Sequence, residues 1–411
     1  MEAVQRQLLY CLAAYKTGAK QAEQAGLAEE DWERLYLAAA IHKMRAMVFE
    51  TMWNVPGFCG GHRELLLRWR RETLMQLASQ TARSRRIADL SAALREKGIA
   101  HAVVKGVVCR ELYSRPDLRP SGDEDVYIHM EDRERCGAVF EANGLSYVQG
   151  DDAVGHWHEP NSGLHIELHT SLTAGGRRED EKLEGYFRSQ LDHAIILPVT
   201  DGAVCTLPHT AHFVFLVCHA LKHFLTGGFG VRTLCDVGAF LEKYHREIDL
   251  TTAQAMLEEI HARGFVDQLL AIGAEWFSMN PGNWGWEYEK KPDPEELLLD
   301  CLEAGVYGQS TMSRKHSAGM TLQAAEDAKS RPGLMGTLFP PRSGLVGRYP
   351  VLEKHPVLLP ACWLHRIGRY AGEVIRSRGK ENSPAESVAL GKKRTEMMVK
   401  YGVFPKSKKK N

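Results

Sequence analysis

Apolar residues recur at helical spacing through the first 97 positions. Asp31 stands where an N-cap belongs, and Trp32, Leu35, Leu37, Ala40 and Met44 follow at intervals that place them on one helix face. A longer periodic run from about Arg63 to Lys97 carries Leu67, Leu74, Leu77, Ile87, Leu90 and Leu94, and Gly98 closes it as a glycine just past a helix end would. The texture then changes. Residues 99–104 (Ile-Ala-His-Ala-Val-Val) form a short apolar run of strand type, Lys105-Gly106 make a turn, and Val107 to Tyr113 resume a short helix. Pro116, Pro120 and Gly122 mark a loop before a strand at 123–129, and a helix from Glu131 to Asn143 ends at Gly144. Strands near 154–158 and 164–169 flank Glu159-Pro160-Asn161-Ser162-Gly163, which is hairpin chemistry. This order predicts an α/β unit of ~100 residues.

Helices return from Leu207. One spans Thr210 to Leu225 and carries His212, Phe215, Leu216, His219 and His223; Gly227-Gly228 break it, and Arg232 to His245 follow. Residues 281–300 are acidic and rich in Trp and Pro, reading as a connector into a helix over 295–304. Residues 305–345 have a loop-like composition, another helix is expected near 361–376, and Lys406 to Lys410 read as a solvated tail. Four segments are therefore expected: helical 1–97, α/β 98–200, helical 201–280, and a helical and irregular 281–411 with a basic tail.

Bulk composition narrows the class. The 411 residues are 44% hydrophobic and 25% charged, with 52 basic residues balancing 52 acidic ones. That balance argues against a protein whose main task is coating nucleic acid or anionic membrane. Nine scattered cysteines without a Cys-x-x-Cys pair fit reduced thiols rather than a disulfide framework. The first residues lack a signal-peptide layout, and the strongest apolar run, 213–221, is broken by His219. It is also far shorter than the ~20 residues of a membrane span. The expectation is a soluble cytoplasmic protein.

The chemistry concentrates at Asp123-Glu124-Asp125. On a strand Asp123 and Asp125 share a face, about 7 Å apart, and Glu124 points the other way. Glu167, in a later strand, adds a third carboxylate, which makes a site for two divalent cations that bind phosphate oxygens. His165 and His169 fall on the face of Glu167, and His169 is placed to orient it by hydrogen bonding. Lys105 sits where strand gives way to helix, so its ammonium and the free amides of the helix start both favour phosphate. Arg119 could clamp a phosphate or pair with an acid. His219 and His223 form an i,i+4 pair that lacks a third zinc ligand and suits packing or ligand contact; Arg232 and Asp236 are spaced likewise, as a salt bridge or ligand contacts. Trp276, Trp284 and Trp286 read as packing between segments.

In order, Val104-Lys105-Gly106, Tyr113, Arg119-Pro120, Asp123-Glu124-Asp125 and Glu167-Leu168-His169 resemble the motifs of polymerase-β-type nucleotidyltransferases. More closely, with Cys218-His219-Ala220-Leu221-Lys222-His223, Arg232 and Asp236, they are similar to a bacterial family described as uncharacterised nucleotidyltransferases. The likeness is strongest over 99–240. It implies an α+β fold with a mixed sheet, flanked by helical segments, and a nucleotide cleft closed by residues 201–280. It further implies transfer of a nucleoside monophosphate from an NTP to a hydroxyl or phosphate acceptor, with release of pyrophosphate and dependence on Mg²⁺ or Mn²⁺. Asp123, Asp125 and Glu167 would hold the metals. Lys105, Gly106 and Arg119 would hold phosphates, with His219, His223, Arg232 and Asp236 facing the nucleotide from across the cleft. Neutral net charge favours a small molecule or peptide as acceptor over tRNA.

Two departures stand out. The Gly-Ser of the broader superfamily is replaced by Lys105-Gly106, and Glu124 occupies a commonly apolar position, as an acid aimed elsewhere or an additional ligand. A phosphotransferase built on the same acids, or a non-catalytic nucleotide-binding regulator, are the alternatives.

Overall fold

A computed structural model describes residues 1–173, 178–305, 351–365 and 384–403, with positions 342, 345, 349 and 368 between them. Helices α1 (Ala3–Thr17), α2 (Asp31–Ile41), α3 (Arg45–Met52) and α4 (Pro56–Gly61) lead into α5 (Arg63–Glu96), which is 34 residues long. The apolar stripe of α5 changes partner along its length. Leu65 and Trp69 face the preceding helices, where Trp69 meets Phe58 and Tyr36 edge-on. Ile87, Leu90 and Leu94, all buried, fall in the half that packs beside the strands.

The strands are β1 (His101–Val103), β2 (Glu124–Ile128), β3 (Ser146–Gly150), β4 (Val154–Glu159) and β5 (Leu164–His169), with α6 (Val107–Arg110) after β1 and α7 (Arg133–Ala142) after β2. They form one mixed sheet in the order β1-β2-β5-β4-β3, in which only β2 and β5 are parallel. Strand alternation decides what each face carries. Gly155, Trp157 and Glu159 of β4 and Leu164, Ile166 and Leu168 of β5 are buried on one side. His156, His158, His165, Glu167 and His169 lie on the other. The expected hairpin over 154–169 is present with a regular antiparallel register.

Strand β3, the helix over 178–191 and the hairpin that follows it lie outside the sequence expectations. Strand β3 is exposed along its whole length, so it carries no buried–polar alternation to read, and a register shift falls between Tyr147 and Gln149. Helix α8 (Arg178–Leu191) is followed by a second hairpin, β6 (Ile195–Val199) and β7 (Gly202–Thr206), whose strand β7 packs on α5 and β1. Pro198 and the brevity of its strands hide this hairpin in the sequence.

Helices α9 (His209–Leu225), α10 (Val231–Tyr244), α11 (Leu250–Glu259), α12 (Arg263–Trp276) and α13 (Glu295–Ala304) pack into the main core, a continuous buried cluster drawn from residues between Val4 and Val403. Three polar contacts set the geometry. His212, fully buried on α9, meets Thr206 Oγ1 at 2.9 Å and Val104 O at 2.6 Å, fixing α9 to the chain just before Lys105. The buried indole of Trp286 donates to Asp267 Oδ1 at 2.9 Å. Arg394, from a helix at Pro384–Lys400, is fully buried and donates to the carbonyls of Phe224 and Thr226, satisfying the C-terminal end of α9.

Residues 359–365 are helical. The remainder of the helix expected near 361–376, most of the loop-like stretch 305–345 and the lysine tail lie outside the described residues. Among the described residues no helix is long and apolar enough to cross a membrane.

Candidate active site

Pairing of β2 with β5 sets Asp125 beside Glu167 and Tyr127 beside His169. One ligand atom each from Asp125, Glu167 and His169 lie within 4.8 Å of one another. His169 Nε2 is 3.0 Å from Asp125 Oδ1 and 3.5 Å from Glu167 Oε2, while Lys105 Nζ is 2.9 Å from Asp125 Oδ2. His156, opposite Glu167 on β4, brings Nδ1 within 3.8 Å of Glu167 Oε1. The closest donor group thus differs by one member from the expected Asp123–Asp125–Glu167 set. His169 joins the two acids, and Asp123, one residue before β2, stands outside the group yet feels the charges of Asp125, Lys105 and Glu167.

Electrostatics follow from this crowding. Burial opposes ionisation of Asp125, but Lys105 and His169 hold its carboxyl well below the usual carboxylate range. Burial works against charge on His169 as well, yet hydrogen bonds to Asp125 and Glu167 carry it up to about 9. Hydrogen bonding to His169 keeps Glu167 low, whereas burial and then the neighbouring Asp125 push Asp123 up. Two carboxylates and an imidazole this close fit a divalent cation. A cation bound through the imidazole must displace the His169 proton.

The His169 shift has a direct consequence for the metal-free protein. The folded pKa lies above the unfolded value of 6.5, so its stabilising contribution is complete below about pH 6.5 and is lost as pH rises through about 9. In chelator, unfolding free energy is expected to fall by up to roughly 3 kcal/mol across that window. His169→Gln should flatten the profile measured by urea titration at several pH values. An unchanged slope in the variant would refute the assignment.

Glu124 points away from the acids, as strand alternation requires, and is only 1% exposed. Its Oε1 accepts from Arg110 Nη1 at 2.7 Å and from Ser121 Oγ at 3.2 Å, and its Oε2 accepts from the Val107 amide at 2.7 Å. Of the two readings of Glu124, the acid aimed elsewhere is the one formed and the additional metal ligand is not, because its carboxylate is spent in a buried ion pair on the opposite face. Nor is the Val107 amide at the start of α6 left for a phosphate, because Glu124 takes it. Gly106 is dictated by the same contact: its φ is +46°, and an added Cβ would lie 1.8 Å from Glu124 Oε2. Lys105 alone of this turn reaches the acid cluster.

Arg119 and Asp236, both expected at the nucleotide, hold each other. Arg119 Nε meets Asp236 Oδ1 at 3.2 Å, Arg119 Nη2 also donates to Asp236, and Tyr113 Oη donates to it at 2.8 Å, all buried. This fork ties the loop before β2 to α10, so the structural pairing weighed for Arg119 is the one formed, with Asp236 as the acid. Arg232 Nη1 donates to Pro120 O at 2.8 Å on the same loop. On α9, His219 and His223 hydrogen-bond to each other at 3.1 Å between their Nε2 atoms. Burial first, then Lys105, pushes both down, His219 well below its usual value and His223 to about 4. Both also feel Asp125, so this neutral pair faces the acid cluster.

Sequence reasoning missed His156, His158 and Arg83. Extending the hairpin register one strand further would have found the histidines, since His156 opposes Glu167 and His158 opposes His165. Arg83 is one of many arginines on α5 and has no distinguishing signal there.

No curated protein and no solved structure matches this chain. A family model described as uncharacterised nucleotidyltransferase matches residues 28–278, a span from just before α2 to the end of α12 that contains every site residue named above. With more than half its length matched and its α+β architecture built around the acid strands, the chain belongs to the uncharacterised nucleotidyltransferase family.

Proposed function

We propose that this protein transfers a nucleoside monophosphate from an NTP to an acceptor hydroxyl, with Mg²⁺ or Mn²⁺ held at the acid cluster. The observation that carries this reading is the convergence of Asp125, Glu167 and His169 within 4.8 Å beside the Lys105 ammonium. A cation there would polarise the α-phosphoryl group and acidify the acceptor hydroxyl. Asp125 and Asp123 anchor the charge-rich end of the site, and Lys105, released from Asp125, reaches the phosphates of the donor. Glu167, kept ionised by His169, accepts the hydrogen bond of the acceptor and then its proton. His169 fixes the orientation of that carboxylate or ligates beside it. The neutral His219–His223 pair forms the facing wall, where an uncharged imidazole can hydrogen-bond to the nucleotide. In the transfer the acceptor oxygen bonds to the α-phosphorus, the bond from that phosphorus to the bridging oxygen breaks, and pyrophosphate departs.

Incubation with Mg²⁺ and NTP labelled on the α or the γ phosphate, with cell extract as acceptor, tests this reading. Stable α-label in an acceptor, abolished by chelator, is the expected result. Transfer of the γ-label would identify a phosphotransferase, and nucleotide binding without transfer of either label a regulator; each overturns the proposal.

A further inference from the structure

The sheet face that carries the acids continues past them. Register places His158 of β4 opposite His165 of β5, one row back from the Glu167–His156 pair and about 7 Å away along the strand. The two imidazoles stack with centroids 4.3 Å apart. Counting back from the Glu124–Ile166 pair, Asp123 falls opposite His165 and marks the boundary with the acid cluster. Arg83 reaches the same row from α5. Its Nη1 donates to Ser121 O at 3.3 Å, its Nη2 lies 3.4 Å from where a Cβ on Gly163 would stand, and its charge acts on His165.

Arg83 is half-buried, and among the described residues no carboxylate lies within ion-pair distance of it, Glu124 and Asp123 acting on its charge from farther away. Its Nε and the Nδ1 of His158 are buried without a hydrogen-bond partner among the described residues. A guanidinium held this way, next to two stacked imidazoles with ring N–H donors, suits an anion with several acceptor oxygens. Lys105, just after β1, meets Asp125 from that side of the sheet, whereas this row lies one step back along β5 and β4 from Glu167.

We propose that Arg83, His158 and His165 form a ledge that binds a phosphate group of the acceptor, so that the substrate class is a hydroxyl-bearing phosphomonoester. This rests on the nucleotidyl-transfer reading. A phosphate on the ledge sits about 7 Å from Glu167, so the attacking hydroxyl is a separate group several bonds removed from that phosphate. The transfer is as written above: the hydroxyl oxygen bonds to the α-phosphorus, its proton passes to Glu167, and pyrophosphate leaves.

Calorimetric titration of inorganic phosphate into the full chain, preloaded with Mg²⁺ and a non-hydrolysable NTP analogue, tests the ledge. Phosphate is expected to bind alongside the nucleotide. Arg83→Gln should weaken it at least ~10-fold and His165→Asn severalfold, with nucleotide affinity and the thermal unfolding midpoint unchanged. Absence of phosphate binding up to high millimolar, competition between phosphate and the nucleotide, or equal phosphate affinity in Arg83→Gln would each overturn the proposal. Analogue binding, measured first, reports separately on the nucleotide site. Should the analogue fail to bind, the transfer reading fails, and phosphate titrated into the unloaded chain still reports on the ledge.

Discussion

Asp125→Asn is expected to lower nucleotidyl transfer by at least ~10³-fold, about 4 kcal/mol of lost transition-state stabilisation. The substitution keeps the shape and an oxygen that can accept from His169, but removes the acid that, among the described residues, contacts both Lys105 and His169. No neighbour replaces it. Asp123 lies outside the closest donor group, and the carboxylate of Glu167 is already shared between His169 and His156. Folding should suffer less than activity, because His169 can discard its proton once its partner is neutral, leaving Lys105 as the group to accommodate. The measurement is α-label transfer at saturating nucleotide, alongside a denaturation curve. Activity retained within about tenfold of the parent, in a folded variant, would show that Asp125 is not at the reacting centre.

The second large effect is on folding. Glu124→Ala is expected to destabilise by about 3–5 kcal/mol, because it strands a fully buried guanidinium. Arg110 has little to fall back on: its Nε and Nη2 already lack partners among the described residues, and Nη1 would keep only Gln80 and Ser121. The double variant Glu124→Leu with Arg110→Met removes both charges and should recover most of the loss, since an apolar pair of similar volume often replaces a buried ion pair without penalty. Denaturant midpoints for the single and double variants decide the point. Manganese affinity adds an independent readout: a ligand role for Glu124 would weaken it in the double variant, whereas an ion pair on the opposite face leaves it unchanged.

The contrast between Glu124 and its neighbours shows what a sequence can and cannot reveal here. Period-two alternation was enough to separate Glu124 from Asp123 and Asp125, and to put His165, Glu167 and His169 on one face. Alternation says nothing about what comes from elsewhere in the chain. Whether Arg119 met a phosphate or an acid depended on α10 delivering Asp236 from 117 residues away. The helix start after Gly106 looked like a phosphate cradle until Glu124, arriving from the next strand, filled it. Strand β3 left no trace because nothing along it is buried, and Arg83 left none because it acts from a helix whose pattern reports only packing. Local chemistry was legible; pairings across long chain separations were not.

Arg394 bears on how this protein can be handled. The family match stops at residue 278, yet the C-terminal end of α9 is finished by a side chain 116 positions further on, fully buried against Phe224 and Thr226. Trimming the chain to the matched span would strip those carbonyls of their donor at the far end of the helix that presents His219 and His223. A shortened protein that shows no activity would then say nothing about catalysis, because the end of α9 next to His223 would have lost its anchor.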